Sequence, residues 1–177
     1  MICKKNALII FILMIMAIFL LTGCSGIVPS FPDPSKYYNI LHKHSQKLVY
    51  CSGIYDGANI DIWGPITAGE EEYFEFKLVD TGDGYYYILN KSGKYVCSGD
   101  TFDGGNIHIW GPIPSGHEDR YKFKLIDTGN GYYYLLHRHS GKYVCSGFLA
   151  NGSNIHIWGP IPSGHEDRYK FKLISDQ

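Results

Sequence analysis

The sequence has no excess of charge of either sign, few cysteines and few strong helix formers. Its 16 Lys+Arg and 17 Asp+Glu give a formal net charge of −1, whereas a nucleic-acid binder needs a basic face, so we expect no nucleic-acid partner. Five cysteines in 177 residues are too few for a disulfide scaffold of this size. The abundance of glycine (21) and tyrosine (15) favours an all-β, turn-rich fold over a helical bundle.

The chain also lacks the sequence signatures of common catalytic sites. It contains no nucleophile elbow, zinc-protease helix, phosphate-binding loop or dinucleotide fingerprint. Acids, histidines and serines are present, but none sits at a diagnostic spacing. We therefore expect no enzyme activity, no catalytic residue and no cofactor.

The longest hydrophobic run lies at the N-terminus, where Lys4 and Lys5 precede an almost wholly apolar stretch over residues 7–21. This run is short for a membrane span, which needs about 20 residues, and it ends in small residues as a signal peptide does. The run abuts Leu21–Cys24 (LTGC), which resembles the bacterial lipobox, the motif in which the cysteine is lipidated and becomes the mature N-terminus.

This resemblance implies a lipoprotein signal peptide over residues 1–23, a lipid such as palmitate on Cys24, and a Pro-rich tether over residues 24–35. The membrane would then be a partner through the N-terminal lipid, with the protein at the cell surface or on an outer membrane. Ser25 resembles the sorting residue of Gram-negative outer-membrane lipoproteins. The alternative is an ordinary transmembrane anchor.

Three copies of one unit make up the rest of the chain. Residues 106–126 and 154–174 share the sequence NIHIWGPIPSGHEDRYKFKLI, and residues 59–79 hold a diverged copy, NIDIWGPITAGEEEYFEFKLV. The single tryptophan of each unit recurs at intervals of about 47 residues, which is within the range of known repeats. We assign one domain to residues 36–177, with repeats at about 36–84, 85–131 and 132–177.

Apolar and polar residues alternate with period two in each unit, which is typical of β-strands. In the second unit Ile107 and Ile109 fall on one face, and His108 and Trp110 on the other. Turn sequences such as TGDG at 81–84 separate the runs, so we predict about four short strands per unit and about twelve in all. Since no capping unit is visible, a closed three-fold object is favoured over a solenoid.

The repeated pattern resembles that of the ricin-B-type β-trefoil lectins. That family repeats Ser-Gly-Lys-x-Leu-Asp-Val, then Asp-Gly-x-x-Val-Gln-Leu-Trp, then Asn-Gln-x-Trp. Here SGKYV at 92–96 and 140–144 matches the first part, DGGNIHIW at 103–110 matches the second, and YKF at 121–123 stands where Gln-x-Trp would be. The resemblance implies a β-trefoil fold and a carbohydrate or glycoconjugate partner.

The family's sugar-binding residues carry over only in part. Its Asp, which binds two sugar hydroxyls, falls on Cys51, Cys97 and Cys145, or on Tyr95 in a gapless alignment from the tryptophan, so the acid is absent. Its Gln falls on Asp61, His108 and His156; its Trp is kept as Trp63, Trp110 and Trp158; its final Asn falls on Tyr73, Arg120 and Arg168.

A tryptophan ring can stack on the apolar face of a pyranose while neighbouring polar groups bind its hydroxyls. We therefore predict ligand-binding sites in the second and third copies. The predicted residues are Asp103, Asn106, His108, Trp110, His117 and Arg120 in the second copy, and Asn154, His156, Trp158, His165 and Arg168 in the third. The alternative is that each tryptophan is a core residue and its loop a solvated face.

The first copy differs in charge, because Asp61 and the run Glu70-Glu71-Glu72 replace the histidines and the arginine. A ligand suited to the other two copies should not suit this one equally. We predict two matched sites and one weaker, divergent site at Asn59, Asp61 and Trp63.

The cysteines and the remaining histidines give weaker signals. Cys51, Cys97 and Cys145 stand at equivalent places, so we expect separate, small buried residues, with a single disulfide or reactive thiols as alternatives. Histidine pairs at 42/44 and 137/139 each put two imidazoles on one strand side, but the second copy has none. We expect exposed or capping histidines and no metal site.

The sequence thus predicts a surface lipoprotein with one β-trefoil domain that binds carbohydrate by stacking on Trp110 and Trp158. The alternative is a β-trefoil without sugar recognition that binds a protein partner, as an inhibitor, an adhesin or the receptor-binding subunit of a toxin.

Overall fold

The alternation in the sequence becomes strands throughout the three repeats. The computed structural model describes residues 32–175, and this part of the chain holds fourteen strands: β1 (Tyr38–His42), β2 (Lys47–Cys51), β3 (Ile60–Trp63), β4 (Glu75–Asp80), β5 (Tyr86–Asn90), β6 (Tyr95–Cys97), β7 (Gly105–Asn106), β8 (His108–Trp110), β9 (Lys122–Asp127), β10 (Tyr133–His137), β11 (Lys142–Cys145), β12 (Ser153–Asn154), β13 (His156–Trp158) and β14 (Lys170–Ser175). Short 3-10 helices at Glu71–Tyr73, Glu118–Tyr121 and Glu166–Tyr169 precede β4, β9 and β14.

The predicted signal peptide (residues 1–23), the lipidation site Cys24 and most of the predicted tether (24–35) lie outside the described residues, so these assignments stay predictions. The described residues from Asp33 onward belong to one compact unit. No helix between residues 32 and 175 is long and apolar enough to cross a membrane.

Six strands close into a barrel, to which each repeat contributes two. β1 pairs with β4, β4 with β5, β5 with β9, β9 with β10, β10 with β14, and β14 returns to β1, always antiparallel. The closing ladder runs from Tyr38 opposite Ser175 to His42 opposite Phe171. The prediction of an all-β, closed three-fold object is confirmed.

The other strands form three hairpins, β2–β3, β6–β8 and β11–β13, which are linked to one another. β12 pairs with β3, β7 pairs with β13, and Asn59 bridges to His108. The strand count exceeds the expected twelve because β7 and β12 are set apart from β8 and β13 by one residue each. The backbones of these two residues, Ile107 and Ile155, bond instead to Ile60 of the first repeat, at 3.1 and 2.9 Å.

Apolar side chains from the barrel and the hairpins meet in one core. The barrel supplies Ile40, Phe76, Ile88, Phe123, Leu135 and Phe171, and the hairpins supply Val49, Ile60, Val96, Ile107, Val144 and Ile155. These twelve residues, four from each repeat, wall a cavity of only about 20 Å³. Full burial of each such side chain contributes about 1.5–3 kcal/mol, so this three-fold core is the main source of stability.

Polar contacts between neighbouring repeats follow one scheme at two of the three seams. The Asp56 carboxylate of the first repeat accepts hydrogen bonds from Lys94 Nζ (2.6 Å) and from the Gly111 backbone N–H (3.2 Å) of the second. Asp103 of the second repeat makes the equivalent pair of bonds to the third. At the last seam Asn151 Nδ2 donates to a carbonyl of the first repeat, which closes the cycle.

Two histidines occupy the barrel interior, so the expectation of exposed or capping histidines is wrong for them. Strand alternation from Tyr38 through Ile40 places His42 inward, and His137 is its counterpart in the third repeat; both are fully buried. Each Nε2–H donates to a backbone carbonyl of another repeat, that of Arg168 at 2.9 Å for His42. Burial lowers the pKa of both imidazoles to about 4.

These two imidazoles predict that the protein loses stability as the pH falls from 7 to 5. Their pKa is about 4 in the folded chain and about 6.5 in the unfolded chain. Between pH 7 and pH 5 the two imidazoles therefore become protonated in the unfolded chain but stay neutral in the folded chain. The free energy of unfolding should therefore drop by about 2 kcal/mol for each histidine. Urea unfolding at pH 7 and pH 5 measures the drop.

The second repeat supplies the control. At this position it has Asn90, whose Nδ2 donates to the carbonyls of Glu72 (3.0 Å) and Glu75 (3.2 Å) without any titrating group. The double variant His42→Asn/His137→Asn should keep the inter-repeat bonds and flatten the pH dependence. If the double variant loses as much stability as the parent over this range, other groups carry the effect.

Candidate functional site

Two matched clefts open beside the hairpins of the second and third repeats, with volumes of about 320 and 270 Å³. The second cleft is lined by Cys97, Gly99, His108, Trp110, Pro114, His117, Arg120 and Tyr121. The third cleft is lined by Cys145, Gly147, Phe148, His156, Trp158, Pro162, His165, Arg168 and Tyr169. The two clefts share eight equivalent lining positions, and the third cleft has Phe148 as an additional lining residue.

Two local elements build each cleft. Strand β8 turns Ile109 into the core and presents His108 and Trp110 on its outer side. The loop and 3-10 helix that follow bring His117 and Arg120 to the cleft wall and the phenol of Tyr121 to its floor. All four polar or aromatic residues predicted from this segment, His108, Trp110, His117 and Arg120, therefore come together, as do their equivalents in the third cleft.

The tryptophans stand partly in solvent. Trp110 is 42% exposed and Trp158 is 41% exposed, so the alternative that they are core residues is wrong. Each indole meets the histidine two residues before it edge-on, with ring centroids 6.1 Å apart in the second cleft and 6.0 Å in the third. An exposed indole beside a polar ring is suited to stacking on a flat, partly apolar ligand.

Each tryptophan is backed by a glycine of the preceding repeat. The indole of Trp110 lies 3.6 Å from the Cβ position of Gly57, and that of Trp158 lies 3.8 Å from the Cβ position of Gly104. Both glycines have a positive φ, which other residues adopt only at a cost. The position of each cleft tryptophan is therefore set by a turn of the neighbouring repeat.

A thiol and a phenol form the floor of each cleft. Cys97 is hydrogen-bonded to Tyr121, and Cys145 to Tyr169. Burial raises the pKa of both thiols and of both phenols to about 12. All four groups are therefore neutral at physiological pH, and they offer hydrogen bonds without charge.

The arginines supply the permanent charge of the clefts. Arg120 and Arg168 are half-buried, with Nη1 within 3.9 and 4.0 Å of the Cβ positions of Gly99 and Gly147. Within residues 32–175, no carboxylate lies within ion-pair distance of either guanidinium. Both side chains can therefore accept a ligand without breaking an internal ion pair.

The histidines of the cleft strands are partly desolvated. Burial lowers the pKa of His108 and of His156, which favours the neutral imidazole. In the second cleft the Asp100 carboxylate opposes this effect at His108, whereas the equivalent position of the third cleft carries Phe148.

The first repeat fills the equivalent space with its own side chains. Tyr50 lies opposite Asp61, just as Cys97 lies opposite His108, so a ring replaces the thiol of the second cleft. The Tyr50 ring packs at 4.9 Å from Phe74 and 5.6 Å from Trp63 between ring centroids. The predicted weaker site at Asn59, Asp61 and Trp63 is thus occupied by an aromatic cluster, and burial raises the pKa of Asp61.

Three of the predicted residues lie away from the cleft of their own repeat. Asp103 bonds to Lys142 Nζ (2.6 Å) and the Gly159 N–H (3.2 Å) of the third repeat. Asn106 Nδ2 donates to Asn59 of the first repeat at 2.9 Å, and Asn154 lies opposite Asp61 across the β12–β3 pair. These residues join repeats to one another, because the turn before each cleft strand reaches across to the adjacent hairpin.

The predicted equivalence of the three cysteines is also wrong. Cys51 lies one residue farther along its strand, opposite Ile60, and alternation turns it into the core, where Ser98 and Ser146 are its buried counterparts. Among the described residues all three cysteines are free thiols, and burial raises the pKa of Cys51 well above its usual range.

Several cleft residues were not predicted from the sequence as ligand residues: Gly99, Pro114 and Tyr121, with their third-cleft equivalents, and Phe148. Cys97 and Cys145 were expected to be buried and structural. A signal existed for the cysteines, because the family's sugar-binding Asp falls on them. Tyr121 gave no such signal, since its alternation with Phe123 is that of a core residue.

Comparison with known proteins shows the fold. No family model and no curated protein matches the chain. The designed three-fold symmetric protein ThreeFoil is 30% identical, with a TM-score of 0.68 over 78% of this chain and 97% of that one. The exo-β-1,3-galactanase 1,3Gal43A from Clostridium thermocellum is 27% identical, with a TM-score of 0.69 over 82% of this chain and 31% of that one.

The Polyporus squamosus lectin, solved with the epitope Neu5Acα2-6Galβ1-4GlcNAc, is 16% identical, with a TM-score of 0.63 over 78% of this chain and 48% of the lectin. At this identity the similarity concerns the fold alone. Together with the closed six-stranded barrel and its three linked hairpins, these similarities identify the chain as a β-trefoil protein.

Proposed function

We propose that this β-trefoil binds carbohydrate through its second and third clefts, while a lipid on Cys24 holds it at the cell surface. The observation that carries the proposal is the pair of exposed indoles, Trp110 and Trp158, each in an open cleft with neutral hydrogen-bonding groups on the floor and a guanidinium on the wall. A pyranose has one apolar face for the indole and hydroxyls for such polar groups.

Two of the proteins with this fold support the proposal because the substrate of one and the bound ligand of the other are saccharides. The galactanase acts on a galactan, and the Polyporus squamosus lectin was solved with a saccharide epitope. The chain spans 31% of the galactanase and 48% of the lectin, and both names point to saccharides as the ligand class.

A protein-binding role is the second candidate, and the hairpin loops favour it. Five of their apolar side chains are exposed to solvent: Ile54, Tyr55, Phe102, Phe148 and Leu149. A partner protein seated on these loops would not need the indoles of the clefts, which gives a way to separate the two candidates.

We predict that Trp110→Ala and Trp158→Ala each weaken binding to a multivalent glycan surface, and that the double variant nearly abolishes it. Stacking covers on the order of 100 Å² of apolar surface, so each indole contributes about 2–3 kcal/mol, and avidity multiplies the effect of losing both. A glycan array probed with the full chain measures this, after urea unfolding has shown that the variants stay folded.

The first repeat provides the matched control variants. Trp63→Ala should leave glycan binding unchanged, because Tyr50 already covers that indole. Conversely, rewriting the second cleft with first-repeat residues (Cys97→Tyr, Arg120→Tyr, Tyr121→Phe) should close it without removing the tryptophan. Equal glycan binding by the parent and a folded double tryptophan variant would favour the protein-binding role.

The anchoring part of the proposal predicts that Cys24→Ser releases the protein from membranes, because the serine offers no thiol for the lipid. Membrane fractionation and labelling with a radioactive fatty acid measure the change, with Cys51→Ser as the control for loss of an unrelated cysteine. Unchanged membrane association and labelling of the Cys24 variant would contradict lipidation at this residue.

A further inference from the structure

Histidine and arginine are the basic residues that line the two clefts. In the second cleft they are His108, His117 and Arg120, and their equivalents line the third. No Asp or Glu belongs to either lining. A neutral sugar is usually held by acceptor groups that bind its hydroxyl hydrogens, whereas the guanidinium in each cleft only donates.

The acids closest in sequence are already engaged elsewhere. In the third repeat, Glu166 accepts the Gly164 N–H at 3.1 Å, and Asp167 forms ion pairs with Lys43 and Lys170 at 3.0 and 3.2 Å. In the second repeat, Glu118 accepts the Gly116 N–H and Asp119 pairs with Arg138. None of these four carboxylates lies within ion-pair distance of a cleft arginine.

The first repeat shows the opposite charge at the same positions. Asp61 stands where His108 stands, Glu70 where His117 stands, and the uncharged Tyr73 replaces Arg120. The closed copy is thus acidic and the two open copies are basic, so the basic character is confined to the clefts that can admit a ligand.

The geometry points to an anionic sugar as the ligand of both clefts: a pyranose that stacks on the indole and carries a carboxylate or a sulfate ester to the arginine. This inference rests on the proposed carbohydrate-binding function and names its ligand class. A planar guanidinium makes paired, charge-assisted hydrogen bonds to such groups, and because each cleft is open to solvent, added salt screens part of this attraction.

The two clefts should differ in strength because of one loop position. The second cleft has Asp100, whose carboxylate accepts the Asn106 N–H at 2.9 Å, two residues before His108, and this negative charge opposes an anion. The third cleft has Phe148 in the same place, which adds an aromatic wall and no charge. We therefore expect the third cleft to bind the acidic sugar more tightly than the second.

Matched pairs of sugars, displayed on one polymer and titrated against the full chain, test the ligand class. One pair is a glucuronide and the corresponding glucoside, which differ only in carboxylate against hydroxymethyl. The other is galactose 6-sulfate and galactose. The acidic member of at least one pair should bind at least tenfold more tightly, and raising the salt concentration should reduce this preference; which pair responds separates carboxylate from sulfate.

Charge-neutral variants assign the preference to the arginines. Arg120→Gln/Arg168→Gln should remove the preference for the acidic member, so that the two members of each pair bind equally. Arg168→Gln alone should lower the affinity for the acidic sugar more than Arg120→Gln alone. Asp100→Asn should raise the affinity of the second cleft for the acidic sugar. Lys124→Gln, which removes an exposed cation outside the clefts, should leave the preference unchanged.

The outcomes distinguish this inference from the proposed function. Neutral sugars bound as tightly as their acidic partners, or a preference that survives in the double arginine variant, would overturn the anionic ligand and leave carbohydrate binding intact. Binding of no member of either pair, on a protein shown to be folded, would overturn both.

Discussion

The hydrogen-bonded ladder between the first and the last strand is the interaction on which the molecule depends. It brings Tyr38–His42 against Lys170–Ser175 and so converts a row of three repeats into a ring. Without it, β1 and β14 would each lose a partner, and the core residues of the first and third repeats would face water. The same ladder brings His42 within hydrogen-bond distance of the backbone carbonyl of Arg168. Because Arg168 lines the third cleft, barrel closure also fixes the backbone of that cleft.

Alternation along the strands separates the residues of the core from the residues of the clefts. In β8 and β13 the isoleucines are fully buried while the flanking histidine and tryptophan face the clefts. A substitution on the cleft side therefore leaves the core untouched, as the first repeat demonstrates: it keeps Ile60 and Ile62 but has a different set of cleft residues. The barrel can carry two open clefts and one filled one without a change of architecture.

Sequence reasoning succeeded where the pattern was local and repeated. The alternation of Ile107 and Ile109 with His108 and Trp110 gave both the buried and the exposed face, and the tandem copies implied closure. The exposed state of the tryptophans could not be derived, because a strand can bury either face. It depends on the facing strand: Tyr50 packs against Trp63, whereas the smaller Cys97 stands at that position in the second cleft.

The failures came from register and from contacts between repeats. Asp103 and Asn106 lie close to Trp110 in sequence, yet the hairpins pair with their neighbours, so these side chains bond to other repeats. The letters Cys-Ser-Gly recur in every copy but are shifted by one position in the first. A one-residue shift exchanges the two faces of a strand, and it put Tyr50, not Cys51, at the cleft position.

No repeat holds a finished cleft by itself. The second cleft takes its indole and guanidinium from the second repeat, the glycine behind the indole from the first, and the imidazole that binds the Arg120 carbonyl from the third. The third cleft draws on all three repeats in the same cyclic order. A single ancestral unit would therefore have lacked two of the three supports, and cleft residues could come under selection for binding only after duplication, or association of separate copies, had produced the ring.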